Sequence, residues 1–250
     1  MNNPFLSVVI PAYNEVKNLE RGVLGSVYGY LSHQDYSWEV LVVDDGSTDE
    51  TATIIGEFNK RYKGFKLLKE PHRGKGGTVI SGVLKAKGDI VLFTDMDQST
   101  PIDQVERFLP KFEEGNDIVI GSRVGRKGAP ILRKAMAYGF ALLRFVILRL
   151  PYRDTQCGFK AFKQEAAIKI FGKMKNLLER KDVRGSSLSA GFDVEILYLA
   201  RKMDFAVAEV PVEWHYEHGT EKNPIKESWI GFKGVVAVRL KSLSGYYHLL

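Results

Sequence analysis

The regular alternation of short apolar stretches with helical stretches constrains the fold of this chain most. The apolar stretches are rich in β-branched and aliphatic residues, and most of them run into a polar cluster. They are "LSVVIP", "WEVLVVDD", "FKLLKE", "DIVLFTD" and "DIVIG". Strands that alternate with helices in this way are typical of a mainly parallel sheet. We therefore predict an α/β fold in which helices flank a mainly parallel central sheet.

Acidic residues follow two of the predicted strands. Asp44 and Asp45 come after the second strand, and Asp95 and Asp97 come after the fourth. Ligands of open α/β sheets bind outside the carboxyl ends of the strands, so these positions form a candidate site. Asp44 and Asp45 also fit a solvated turn that caps the next helix. Asp95 and Asp97 fit that description poorly, because two close like charges at a buried strand end need a cation or a hydrogen-bond donor.

The composition narrows the class of function. A formal net charge of +6 suits nucleic acid, an anionic membrane or phosphorylated small molecules. No zinc-finger spacing and no RNA-binding aromatic motif is present, so nucleic acid is not the predicted partner. No G-x-G-x-x-G motif follows the first strand, which argues against a Rossmann dehydrogenase. The single cysteine, Cys157, and the absence of a signal-peptide pattern predict a reducing, cytoplasmic location.

Two segments, 135–150 and 228–250, combine apolar and basic residues. Neither contains the roughly 18 uninterrupted apolar residues that a membrane-spanning helix needs. On a helix, Arg144 of the first segment falls on the same side as Arg133, while apolar residues occupy the rest of the surface. This pattern fits a helix that lies in the interface of a membrane. A core helix with solvated arginines is the alternative.

Four motifs in the first half of the chain together resemble the family-2 glycosyltransferases. They are "SVVIPAYNE", "VVDDGSTDET", "RGKGG" and "DMD", in the order of that family's nucleotide-sugar half. The resemblance implies a GT-A fold, a nucleotide diphosphate sugar as donor, and Mg²⁺ or Mn²⁺, for which carboxylates are suitable ligands. The nucleotide-sugar-binding residues that it implies are Pro11, Tyr13, Glu15, Asp44, Asp45, Lys75, Asp95 and Met96. The resemblance implies Asp95 and Asp97 as metal ligands, and Ser99, which stands where mannosyl members often carry a glutamine, or a water would complete the metal site.

The second half resembles a narrower group within that family, the polyprenyl-phosphate hexose synthases. Its motifs are "GSR", "DTQCGFKAF", "GFDVEI" and "EVPVEW". This group contains the dolichyl-phosphate glucose and mannose synthases, and "DTQCGFKAF" and "FDVE" look closer to the glucosyl branch. The resemblance implies Asp97, Arg123 and Arg133 as catalytic residues, and Asp193 is a further catalytic candidate as the base for a hydroxyl acceptor. Arg123 and Arg133 would bind phosphates of the lipid acceptor or the donor, as arginine does in a bidentate manner.

The function implied by these resemblances is transfer of a hexose, with inversion, to a polyprenyl or dolichyl phosphate at a membrane surface. UDP-glucose is the favoured donor, and GDP-mannose and UDP-N-acetylglucosamine are the other donors left open. A phosphate acceptor needs no strong base. A hydroxyl acceptor would need a carboxylate base, for which the candidates are Asp154, Asp193 and Glu195, with Asp193 and Glu195 favoured as a pair. A soluble or polysaccharide hydroxyl acceptor is the first alternative, and a non-catalytic nucleotide-sugar-binding or membrane-binding module is the second.

The same reasoning predicts the domain organisation. Residues 1–220 would form the catalytic domain, with a nucleotide-sugar half in 1–121 and an acceptor half in 122–220 that contains the amphipathic helix of about 130–150. Residues 221–250 would form an amphipathic interface segment. The protein would be peripheral at the cytoplasmic face of a membrane, with a separate membrane-anchoring protein as an open partner.

Overall fold

The computed structural model describes residues 3–123, 131–179, 191–215 and 224–247. In these residues the strands are β1 (Leu6–Ala12), β2 (Trp38–Asp44), β3 (Phe65–Lys69), β4 (Ile90–Phe93), β5 (Ile118–Ser122), β6 (Lys160–Lys163) and β7 (Val207–Pro211). The helices are α1 (Val16–Glu20), α2 (Val23–Leu31), α3 (Thr51–Arg61), α4 (Gly74–Lys85), α5 (Leu109–Glu113), α6 (Ile131–Leu148), α7 (Gln164–Glu179), α8 (Phe192–Lys202) and α9 (Pro224–Leu243). A 3₁₀ helix spans Ile102–Arg107.

The seven strands form one sheet in the order β3-β2-β1-β4-β6-β5-β7. β1 pairs in parallel with β2 and β4, β2 pairs in parallel with β3, and β5 pairs in parallel with β7. β6 runs antiparallel to both of its neighbours, β4 and β5. The predicted α/β fold with a mainly parallel central sheet is therefore confirmed.

Both faces of the sheet are covered, which explains why its central strands are largely apolar. Successive side chains of a strand point to opposite faces. In β1, Val8 and Ile10 belong to one buried cluster and Val9 to the other. In β2, Val42 and Leu41 divide between the clusters in the same way. The core is thus two apolar layers separated by the sheet.

Two predicted helices are interrupted in the structure. The helix expected from about Glu15 to Leu31 is divided into α1 and α2, because Gly22 adopts a left-handed φ of 78° between them. The helix expected near 102–114 is a 3₁₀ turn followed by the short α5. Pro110 lies in the first turn of α5, where its missing N–H is tolerated. In the middle of one continuous helix the same proline would remove a hydrogen bond and clash with the preceding turn.

α6 presents three large apolar side chains outward and one of its arginines inward. Leu142, Phe145 and Val146 are 64%, 54% and 69% exposed, whereas Arg144 is buried. The Arg144 Nη2 donates to the carbonyl oxygens of Tyr152 (3.1 Å) and of the next residue (2.9 Å). Both interpretations of this helix, an interfacial helix with Arg144 on its charged side and a core helix with solvated arginines, are therefore wrong for Arg144.

α9 packs against α6 and α8 rather than standing apart from the rest of the fold. Its Val235 and Val238 are buried in the core, and the hydroxyl of Tyr247 donates to Glu195 of α8 (2.7 Å). The domain boundary predicted at residue 220 stays a prediction. Among the described residues, no helix combines the length and the apolar character that crossing a membrane requires.

Candidate active site

The candidate site lies at the carboxyl ends of β1, β2 and β4, where the predicted polar residues converge. Glu15 follows β1, and Asp95 and Asp97 follow β4. Burial raises the pKa of the Glu15 carboxyl, although Asn18 donates a hydrogen bond to it, and the negative charges of Asp97 and Asp95 raise it further. The three predicted carboxylates therefore share one electrostatic environment.

A tight turn arranges Asp95 and Asp97. The backbone N–H of Gln98 donates to the Asp95 carbonyl oxygen (3.2 Å), with Gln98 at a φ of 50°. The backbone N–H of Ser99 donates to Asp97 Oδ1 (2.9 Å), and the Ser99 carbonyl oxygen accepts from the N–H of His215 (2.7 Å). The loop after β7 is thereby attached to the acidic turn.

Lys75 of α4 is the cation at this cluster. Its Nζ forms an ion pair with Asp95 Oδ1. Burial lowers the pKa of the Lys75 ammonium, but the charges of Asp95, Asp193 and Asp97 outweigh this and raise it above its ordinary range. The charge of Asp193, which is far from Lys75 in the sequence, therefore also acts at this site.

The acidic turn fits a divalent cation that arrives with a diphosphate. Among the described residues, no three acidic, histidine or cysteine side chains are grouped closely enough to hold a metal ion by themselves. Mg²⁺ in nucleotide sites is usually held by one or two carboxylates together with phosphate oxygens and waters, so Asp95 and Asp97 suffice. Gly158 leaves room for the Asp95 carboxylate, because a Cβ at this position would lie 2.1 Å from Asp95 Oδ2. The role of Ser99 as a third ligand stays a prediction.

Asp45 anchors the turn from which Lys75 extends. Its Oδ1 accepts from the backbone N–H of Arg73 (2.8 Å), and its Oδ2 accepts from that of Gly74 (2.9 Å). His72 Nδ1 lies 2.9 Å from Asp45 Oδ2, and the His72 ring stacks on Tyr13 with centroids 4.3 Å apart. His72 was not predicted, although its place immediately before "RGKGG" was a signal. Any contact of Asp45 with a nucleotide would add to the hydrogen bonds that it already accepts.

The other predicted nucleotide-binding residues differ in how much they can offer a ligand. The Tyr13 side chain is exposed, and Pro11 is partly buried in β1. Asp44 is buried and accepts from the Ser47 N–H (3.3 Å). The Met96 side chain is buried in the core, so its predicted contact with the nucleotide is restricted to its backbone.

Arg123 and Asp154 form a bidentate pair at the end of β5. Arg123 Nε donates to Asp154 Oδ2 (2.6 Å), and Nη2 donates to Oδ1 (2.9 Å). Burial would raise the pKa of the Asp154 carboxyl, but Arg123 holds it well below its usual range. Glu209 fixes the same loop, since it accepts from the N–H groups of Arg153 (2.9 Å) and Asp154 (2.8 Å). The predicted phosphate contact of Arg123 stays a prediction, and Arg133 lies in α6 with its side chain outside the described residues.

Asp193, at the start of α8, is bound by a lysine that sequence reasoning missed. Lys160 is fully buried, and its Nζ donates to Asp193 Oδ1 (2.5 Å) and to the Cys157 carbonyl oxygen (2.5 Å). Glu195 is engaged elsewhere, because Lys241 Nζ donates to both of its oxygens (2.8 and 3.0 Å). The prediction that Asp193 and Glu195 act as a pair is wrong, since side chains two residues apart lie on different sides of a helix.

The fold and the site together define a nucleotide-sugar transferase of the GT-A type. Residues 7–171 match the model of the family described as "Glycosyl transferase family 2". The chain belongs to this family of glycosyltransferases, which confirms the predicted family and its enzymatic class.

Curated relatives of this chain carry a more specific name. The protein "Dolichyl-phosphate beta-glucosyltransferase" of Dictyostelium discoideum is 33% identical over 267 aligned residues, covering 100% of this chain and 78% of the relative. The mouse protein of that name is 33% identical over 98% of this chain and 78% of its own length. The Saccharomyces cerevisiae protein is 31% identical over 97% and 76%. The predicted resemblance to the glucosyl branch is thereby confirmed.

Solved structures support the fold. Mannosyl-3-phosphoglycerate synthase from Rubrobacter xylanophilus has a TM-score of 0.65 at 18% identity, over 96% of this chain and 75% of that one. Glucosyl-3-phosphoglycerate synthase from Mycobacterium tuberculosis, in complex with Mn²⁺, UDP-glucose and phosphoglyceric acid, has a TM-score of 0.59 at 20% identity. That match covers 94% of this chain and 80% of the other. At these identities the likeness concerns the fold alone.

Proposed function

We propose that this protein transfers glucose, with inversion at the anomeric carbon, from UDP-glucose to dolichyl phosphate or a related polyprenyl phosphate. Its family and the names of its relatives support a glucosyl transfer to a lipid phosphate. The acidic turn and Lys75 support a diphosphate donor, because together they provide carboxylates for a metal and a cation for the leaving group.

The ion pairs of three carboxylates, which were the candidate bases, support a phosphate acceptor over a hydroxyl acceptor. Asp154 is paired with Arg123, Asp193 with Lys160 and Glu195 with Lys241. A carboxylate that accepted a proton here would leave its partner cation without a counter-charge, at a high cost where the cation is as buried as Lys160. A phosphate monoester has a second pKa near ~6 and is largely dianionic at neutral pH, so it needs no base. The arrangement therefore favours a phosphate acceptor over a hydroxyl acceptor.

In this mechanism the protein positions two anions and stabilises the charge that develops between them. A divalent cation, Mg²⁺ or Mn²⁺, bound by Asp95 and Asp97 would neutralise the departing diphosphate. Lys75 would contact that diphosphate, and Tyr13 would line the pocket for the base. Arg123 and Arg133 would hold the acceptor phosphate in line with the sugar. Positioning and electrostatic stabilisation then supply most of the catalysis.

The outward-facing side of α6 and α9 supports a peripheral place on a membrane. These two helices pack against each other and carry most of the large exposed apolar side chains of the described residues. These side chains are Leu142, Phe145, Val146, Trp229, Ile230, Leu240 and Leu243, and we call them the exposed apolar surface. Exposed cations, Arg149, Lys233 and Arg239, lie on or next to the same helices. Apolar side chains flanked by cations are suited to an anionic membrane interface, which we propose is a cytoplasmic one.

A screen of donors against paired acceptors tests the function. UDP-glucose, UDP-N-acetylglucosamine and GDP-mannose would each be incubated with a short polyprenyl phosphate and with the corresponding polyprenol, which lacks only the phosphate. We expect metal-dependent transfer of glucose to the phosphate alone, and none with Asp97→Asn. Transfer to polyprenol or to a sugar hydroxyl would refute the phosphate acceptor. Donor binding without transfer to any acceptor would favour a non-catalytic module.

A further inference from the structure

The Lys75 ammonium occupies a position beside Asp95 that a divalent cation would also need. Gly158 lies against the Asp95 carboxylate, since a Cβ at this position would come within 2.1 Å of Oδ2 and 3.0 Å of Oδ1. Asp95 Oδ1 faces the Lys75 ammonium. Asp97 Oδ1 accepts from the Ser99 N–H, and no donor among the described residues reaches Asp97 Oδ2. Lys75 therefore pairs with one of the carboxylate oxygens for which a divalent cation would compete.

The main chain at Lys75 is fixed while its side chain is not. Asp45 accepts from the N–H groups of the two preceding residues, 73 and 74, so the turn cannot follow the ammonium. The side chains of Lys75 and Asp95 are 42% and 38% exposed, so their ion pair is open to solvent on one side. A flexible four-carbon stem lets the ammonium move by several ångströms without moving the helix.

Removing this cation would leave like charges together. Asp95, Asp193 and Asp97 all act on the Lys75 ammonium and keep it charged. Asp193 forms an ion pair with Lys160, whereas among the described residues Asp95 pairs only with Lys75 and Asp97 has no ion-pair partner. Moving the Lys75 ammonium away from Asp95 is therefore unfavourable unless another cation takes its place there. The ammonium itself also needs a new anion to pair with.

We propose that Lys75 fills the cation position of the acidic turn between turnovers, and that it moves to the donor diphosphate when the divalent cation binds. The inference rests on the proposed function, since it takes the donor to be a nucleotide diphosphate sugar. It makes Lys75 a coupling residue: a nucleoside diphosphate improves metal binding by receiving the lysine, and by linkage the metal improves nucleotide binding by the same factor.

Binding of Mn²⁺ to a Lys75→Met variant tests the proposal without any turnover. Free Mn²⁺ would be measured by electron paramagnetic resonance during titrations, with and without saturating UDP. Without UDP, we expect the variant to bind Mn²⁺ about fivefold more tightly than the wild type, because a partly exposed ion pair no longer competes. With UDP the difference should shrink to less than about twofold, because the diphosphate receives the lysine that Mn²⁺ displaces.

Lys85→Met is the matched control. Lys85 lies on the same helix, is 51% exposed and pairs with Glu70, so its loss removes the same charge away from the site. We expect it to leave both Mn²⁺ affinities unchanged. An equal gain with and without UDP in Lys75→Met would overturn the proposal, because it would make Lys75 a fixed charge that repels the metal. Failure of the wild type to bind Mn²⁺ and UDP at all would instead refute the proposed function.

Discussion

Replacing Phe145 and Val146 by serine should detach the protein from anionic vesicles without unfolding it. Both side chains point away from the core, at 54% and 69% exposure. Fully burying a side chain of this kind is worth about 1.5–3 kcal/mol, and the exposed fractions leave about half of that for each residue to gain from a membrane. Together they should contribute about 2 kcal/mol, so the double variant should bind about 30-fold more weakly.

The assay is sedimentation with vesicles of phosphatidylcholine and phosphatidylserine over a range of protein-to-lipid ratios. Ile168→Ser is the matched control, because Ile168 of α7 is 53% exposed but lies outside the exposed apolar surface. The control should pellet as the wild type does. Binding of the wild type should also weaken with added salt, since the cations beside the surface act on anionic lipid.

Two results would contradict this reasoning. If the Phe145 and Val146 variant pelleted as well as the wild type, α6 would not face the membrane. If Ile168→Ser lost as much affinity as the double variant, vesicle binding would reflect general apolar stickiness and not a defined surface. Thermal unfolding of each variant would show that the fold is intact, as expected for exposed positions.

Two further predictions concern the site and its support. Gly158→Ala should weaken Mn²⁺ binding by about tenfold in an isothermal titration, because the new Cβ displaces the Asp95 carboxylate, whereas Gly172→Ala, which meets no atom within 4 Å, should not. Asp154→Asn should lower the free energy of unfolding at neutral pH, measured by urea denaturation. Because Arg123 lowers the pKa of Asp154 in the folded state, its stabilisation is present above the ordinary value of about 3.9 and lost as pH falls through the folded value. The gap between variant and wild type should therefore be constant from about pH 5 to 8 and narrow below about pH 4; a gap independent of pH would contradict this assignment.

Much of the sheet could be predicted because its strands are buried on both faces. A run such as "VLVV" in β2 has few alternatives to a buried strand when a polar cluster follows it at once. The break between α1 and α2 could not be predicted in the same way. Gly22, Gly25 and Gly29 all occur in that segment, and only Gly22 has a left-handed φ. Which glycine breaks a helix depends on how the two pieces pack against the sheet.

The candidate site was predictable where a residue's role follows from its place at a strand end. Asp95 and Asp97 met that condition, and the structure places them with Glu15 and Lys75. Lys160 did not, because a lysine in a short strand is usually solvated. Its burial depends on a carboxylate 33 residues later, a pairing that the spacing of the sequence does not reveal.

β6 connects Asp193 of α8 with the acidic turn after β4. Since it runs antiparallel between β4 and β5, its first residue is the one that reaches the edge where the parallel strands end. Lys160 therefore pairs with Phe93, the last residue of β4, two positions before Asp95. From there its ammonium holds Asp193 of α8, while Gly158, two residues earlier, lies against the Asp95 carboxylate. A parallel strand at this position would have placed these residues at the opposite end of the strands, so the antiparallel direction of β6 is what brings Lys160 and Gly158 to the acidic turn.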